Sequence, residues 1–154
     1  MSSQKKILRA VLFLLILLWA GFIFSNSLEN STASAESSAR VIKFFNSSLL
    51  EDPVTAAVAQ ALVRKAAHFF EFFLLSILFF VLFSGKHHRE LRAFFLTVLA
   101  AFLDEGLQLF SDRYSTLWDV ALDSCGAATG VLLMVILSRW IRNRKARRET
   151  EKEP

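Results

Sequence analysis

A chain of 154 residues that is 54% hydrophobic, with 16 phenylalanines and a positive mean hydropathy, is too apolar for an ordinary soluble domain and too short for a large soluble catalytic domain. Its single cysteine, Cys125, excludes an intramolecular disulfide and cysteine-based metal clusters, and its place inside an apolar run suits a small packing residue. The net charge of +4 raises nucleic acid as a partner, but the basic residues sit beside apolar runs instead of interleaving with exposed aromatics, which favours membrane orientation and no nucleic acid.

Residues 1–9 form a short basic tail, and residues 7–24 are an apolar run near the ~17 to 25 residues that span a bilayer. The run exceeds the usual ~7 to 15 residue core of a signal peptide, so a retained first span is expected rather than cleavage. Residues 25–52 are the one long polar segment. From Ser37 to Leu50 it turns amphipathic, with Val41, Phe44, Phe45, Ser48 and Leu49 on one side and Arg40, Lys43 and Asn46 on another. A short interfacial helix and a solvated outer loop both fit that pattern.

Asp52-Pro53 signals a helix start, with Asp as N-cap and Pro at the first helical position. The second helix is expected to begin at 53, to span about 62–83 and to end at Ser84-Gly85. A short basic loop follows, in which His87 and His88 read as solvated residues and not as a metal site. A third span over about 93–110 carries Asp104, Glu105 and Gln108; after a polar turn, a fourth over about 117–140 opens with Asp119 and Asp123, and residues 141–154 form a basic tail. The expectation is an all-α, multi-pass membrane protein: one domain over 1–154 with four transmembrane helices.

Two polar strips interrupt the apolar spans. At roughly 100° per residue, Arg64, His68 and Glu71 share an arc of about 60°, with Lys65 at its edge. Asp119, Asp123, Gly126 and Gly130 share another such arc, and the Gly126-xxx-Gly130 pair suits close approach to a neighbouring helix. With four spans, three Lys/Arg of the N-terminal tail, three of the loop between the second and third spans and seven of the C-terminal tail lie on one side, 13 of the 18 in the chain. The positive-inside rule therefore predicts both termini cytoplasmic. All intramembrane polar residues then fall in the outer half, with Glu71 and Asp123 ~6 to 10 Å below their helix entries.

An uncompensated charge inside a membrane costs at least about 2.5 to 3.5 kcal/mol. Against Arg64 and Lys65 stand Glu71, Asp104, Glu105, Asp119 and Asp123, a surplus of negative charge. Either some carboxylates carry protons or a cation completes the set.

These motifs resemble the VanZ-like family of membrane proteins, named for a factor associated with teicoplanin resistance. The matching residues are Arg64-Lys65-Ala66-Ala67-His68-Phe69-Phe70-Glu71; Asp104-Glu105-Gly106-Leu107-Gln108-Leu109-Phe110 with Arg113; and Asp119 and Asp123 ahead of Gly126 and Gly130. Phe24-Ser25 and the Ser-rich segment after it are similar to the family's opening motif. Phe72 departs from the family pattern, which usually has Tyr there, so any mechanism needing that hydroxyl is in doubt. The resemblance implies an integral protein of the bacterial cytoplasmic membrane linked to cell-envelope antibiotics, and leaves the reaction open.

The leading functional expectation is an outer-leaflet pocket that binds or processes an anionic amphiphile: a cell-wall lipid precursor, a phospholipid or a lipidated glycopeptide. Arg64, Lys65, Gln108 and Arg113 are the candidate substrate-binding residues. His68, Glu71, Asp104, Glu105, Asp119 and Asp123 are the candidate acid/base or cation-binding cluster, and His68, Glu71, Asp104 and Asp123 are the candidate ligands of a divalent cation, hard rather than a structural zinc. A non-enzymatic interaction protein with a structural polar cluster is the alternative. A lipid or drug transporter ranks third, because the inner helix halves carry no charge. Four short helices leave a homodimer open.

Overall fold

The computed structural model describes residues 3–29, 31–108 and 117–150, and among them every regular element is helical. The helices are α1 (Ser3–Ser27), α2 (Ser31–Phe45), α3 (Pro53–Leu82), α4 (Arg89–Gln108) and α5 (Leu117–Thr150), with a short 3-10 helix at Ser47–Leu50. Asp52 caps α3 as its sequence demands: the carboxylate accepts from the Thr55 amide at 2.8 Å and Pro53 opens the first turn. α3 ends at Leu82, and Gly85 takes φ +78° in the turn into α4.

Three helices, α1, α3 and α5, are long and apolar enough to cross a membrane. α4 is not among them, because Arg89, Glu90 and Arg92 at one end and Asp104 and Glu105 at the other confine its uncharged stretch to the interior. It packs against α1, α3 and α5 all the same, so it belongs to the bundle as the expected third span does. α5 continues ten residues past the expected end of the last span, the basic segment after Trp140 staying helical to Thr150, with Arg144 lying 3.9 Å over the Trp140 ring.

Contacts fix the helix directions. Gly126 lies against Phe69 and Gly130 against Phe73 and Ser76, so α5 runs parallel to α3. Ser27 at the end of α1 reaches Asp104 near the end of α4, so those two also share a direction. Both glycines of the expected close approach are buried against α3 backbone, where a Cβ would strike the carbonyl oxygens of Phe69 and Phe73. Lipid is as apolar as a leucine side chain, so such close backbone packing, and not burial of apolar surface alone, holds a membrane bundle together. Cys125 departs from the packing expectation: it is exposed, on the side of α5 turned from that contact.

Ile16, Ile23, Phe72, Leu75 and Ala101 form a buried apolar core between α1, α3 and α4, flanked by Trp19, Phe24, Leu78 and Phe79. The outward faces are apolar as well, from Phe13, Leu14, Leu17 and Leu18 on α1 to Leu132, Leu133 and Ile136 on α5. α2 packs on α3 and leaves exposed the Phe44 and Phe45 side that the amphipathic pattern assigned to a membrane surface. Ser38 and Ile42, one turn apart, are buried, whereas Phe44 and Phe45 stand 84% and 81% exposed. The small Ser38 side chain lets α2 approach closely, its hydroxyl donating back to the Ser34 carbonyl at 3.0 Å, and the two phenylalanines turn outward.

Candidate functional site

The polar strips of α3, α4 and α5 meet, and the end of α1 joins them. On α3, His68 Nδ1 lies 3.7 Å from Glu71 Oε2 and 3.9 Å from Asp104 Oδ2 of α4. Asp104 is fully buried; its Oδ2 accepts from the Ser27 hydroxyl at 2.7 Å and from Gln108 Nε2 at 3.1 Å. Gln108 also donates to Glu105 Oε1 at 3.2 Å, a bond its position one turn beyond both acids makes geometrically natural. Asn26 Nδ2 donates to Glu71 Oε1 at 3.0 Å, and Trp19 Nε1 donates to the Glu71 backbone carbonyl at 3.0 Å.

Asp123 of α5 completes the centre. One donor atom from each of His68, Asp104 and Asp123 lies within 4.8 Å of the others. Asp123 is 1% exposed, and neither of its carboxylate oxygens receives a hydrogen bond from the described residues.

The structure separates residues that share one stretch of sequence. Arg64 and His68 face a cavity of about 280 Å³ between α1, α2 and α3, which also reaches Asn26, Glu29, Ser34, Ser37, Ser38 and Glu71. Lys65, one residue and about 100° on, turns to α5, where its ammonium lies 3.6 Å from Asp119 at an exposed edge. Such a pair contributes at most about 1 kcal/mol. Gln108, an expected substrate-binding residue, bridges two carboxylates. Arg113 lies outside the described residues.

Three residues escaped sequence reasoning. Asn26 and Ser27 donate to two of the carboxylates, and Trp19 pins α1 to the Glu71 carbonyl; the signal was the polar Ser25-Asn26-Ser27 end of an otherwise apolar span. Phe72 is the position where the sequence departs from the family's usual Tyr. It is fully buried among Ile16, Ile23, Leu75 and Ala101, so its ring points into the apolar core and not into the polar cluster.

A second, apolar cavity of about 510 Å³ runs along α1 and α3, lined by Leu15, Leu18, Trp19, Phe22, Leu74, Ile77 and Leu78. Phe22 borders both cavities, so the polar one opens beside the apolar one.

Comparison with curated proteins gave no match, and neither did comparison with solved structures. The VanZ/LLP1 family matches over residues 12–138, from the first span into the fourth expected one and across every motif that forms the cluster. The chain belongs to the VanZ/LLP1 family.

Proposed function

We propose that this protein is a four-span component of the bacterial cytoplasmic membrane, with both termini inside, that binds an anionic amphiphile from the outer leaflet. One observation carries the reading: a polar cavity holding Arg64 and His68 adjoins an apolar groove along α1 and α3 at Phe22. An amphiphile has that division of surface. Its head meets the Arg64 guanidinium, a natural partner of phosphate or carboxylate oxygens, and its chain lies against Leu15, Leu18 and Leu74.

His68 is the group placed for proton transfer to a bound head. It lines the cavity, and the Glu71 and Asp104 carboxylates lie 3.7 and 3.9 Å from its Nδ1. A pocket facing the outer leaflet fits the link between VanZ-like proteins and resistance to teicoplanin.

The test joins binding to phenotype. In nanodiscs, the wild type should retain anionic phosphatidylglycerol over zwitterionic phosphatidylcholine, and Arg64→Gln should lose that preference by tenfold or more. In cells carrying the protein, His68→Gln and Glu71→Gln should abolish any protection against teicoplanin-like agents. If folded variants of both kinds behave as wild type, the reading fails.

The alternative, in which the cluster only fixes helix packing, draws support from the neutral donors Asn26, Ser27 and Gln108 that satisfy Glu71, Asp104 and Glu105. It predicts that Asp104→Asn preserves phenotype, since neutral replacements of buried charges often leave stability intact. The unbonded Asp123 carboxylate argues against it.

A further inference from the structure

Among the buried acids of the described residues, Asp123 alone has both carboxylate oxygens without a hydrogen bond. It is 1% exposed, no described residue donates to either oxygen, and it faces Asp104 and His68 with donor atoms no more than 4.8 Å apart. A buried carboxylate survives only with compensation. The neighbours it meets, the Asp104 carboxylate and the His68 imidazole, give it no hydrogen bond.

We propose that His68, Asp104 and Asp123 bind a divalent cation, with Glu71 at its edge. The inference rests on the cavity reading above for the route by which an ion enters.

Metal bonds of about 2.1 Å set donors on opposite sides of an ion about 4.2 Å apart. Donors at tetrahedral or octahedral cis angles lie closer, about 3.0 to 3.4 Å apart, so a spread of up to 4.8 Å closes by up to ~1.4 to 1.8 Å through side-chain rotation. The supports for such a site are also present. Ser27 and Gln108 fix Asp104 through Oδ2, and Asn26 fixes Glu71 through Oε1, the kind of outer hydrogen bonds that orient metal ligands. Two aspartates neutralise a 2+ ion, so occupancy removes most of the local charge surplus.

The donor set selects the ion. One imidazole with two or three carboxylates suits Mn²⁺ or a catalytic-type Zn²⁺, whereas Ca²⁺ prefers six to eight oxygens and structural Zn²⁺ favours thiolates. The three protein donors come from three helices, so an ion also ties α3, α4 and α5 together and leaves coordination positions on the cavity side. There it would bridge to the phosphate of a bound head, which reconciles an anionic ligand with a cavity that contains Glu29 and Glu71.

The experiment uses the full chain in phosphatidylcholine nanodiscs, where lipid heads carry no net charge, stripped with chelator and titrated with MnCl₂. Free Mn²⁺ is read by electron paramagnetic resonance, and thermal unfolding is followed in parallel. One Mn²⁺ should bind per chain and raise the unfolding temperature. Asp123→Asn should weaken binding at least tenfold, while Glu90→Gln, at the far end of α4, should not change it. If Asp123→Asn does not fold, His68→Asn serves in its place with the same expected loss. No binding by the wild type, or equal binding by the variants, overturns the inference; the first result would mean that the carboxylates share protons instead. Arg64→Gln separates the two readings, because it should lose anionic lipid and keep Mn²⁺. Retention of anionic lipid by a wild type that takes no Mn²⁺ sinks the cation alone.

Discussion

Replacing Gly130 with alanine tests the packing that brings Asp123 to the cluster. A Cβ there would sit 2.5 Å from the Phe73 carbonyl oxygen, and ordinary contact starts at 3.4 Å, so α3 and α5 must part by about 0.9 Å. The second obstacle, the Ser76 hydroxyl, donates to the same carbonyl at 2.8 Å and is fully buried, so neither group yields freely. Overpacking of this kind costs about 1 to 3 kcal/mol. The control is Gly21→Ala, where a Cβ meets nothing within 4 Å and the change should stay within about 0.5 kcal/mol. Unfolding in mixed micelles with increasing dodecyl sulfate, followed by loss of helicity, measures both. Gly126→Ala should resemble Gly130→Ala, and the double variant should cost less than the sum, because one separation of the helices relieves both clashes. The same shift carries Asp123 away from His68 and Asp104, so Mn²⁺ affinity should fall in step. A Gly130→Ala protein as stable as Gly21→Ala would refute the close-approach argument.

Three further outcomes follow from particular bonds. Ser27→Ala removes a donor from the buried Asp104 carboxylate and should cost about 1 to 3 kcal/mol, whereas Ser25→Ala, which loses only an exposed bond to the Phe22 carbonyl, should be near neutral by the same unfolding assay. Phe72→Tyr, which restores the side chain usual in the family, should destabilise by roughly 1 to 3 kcal/mol, since its hydroxyl would enter the apolar core; a gain in protection against teicoplanin-like agents would contradict this. Asp52 is held below its ordinary value of 3.8 by the Thr55 amide and hydroxyl. Its folded pKa is lower than its unfolded one, so its contribution is full above about pH 3.8 and lost as pH falls through the folded value. The stability gap between wild type and Asp52→Ala should therefore close in acid, as unfolding at stepped pH would show.

The helix starts and stops were readable because they rest on local chemistry: Asp52-Pro53 and Gly85 act within one turn of themselves. The meeting of His68, Glu71, Asp104 and Asp123 was readable because alternating helix directions place their polar stretches at one depth. What alternation does not convey is azimuth. Arg64 and Lys65 are adjacent in sequence yet serve different neighbours, a cavity beside α2 and Asp119 on α5, and only the packed bundle decides which. A second face of α2 stayed hidden for a related reason: the amphipathic pattern showed the Phe44 and Phe45 side, which is exposed, and gave no sign that Ser38 and Ile42 would be buried. Asn26 and Ser27 stood outside every candidate list because two small polar residues at the end of a span read as its boundary.

The apolar core has a bearing on bioenergetics. Phe72, Leu75, Ile23, Ile16 and Ala101 close the bundle behind Glu71 and Asp104 without a polar atom in their side chains. A row of acids running through a membrane is a proton wire, and each proton that leaks down 100 mV dissipates about 2.3 kcal/mol. Here the apolar side chains stand between the acids and the other end of the bundle, and the buried hydroxyls of Ser76 and Thr97 are bonded to the Phe73 and Ala93 carbonyls.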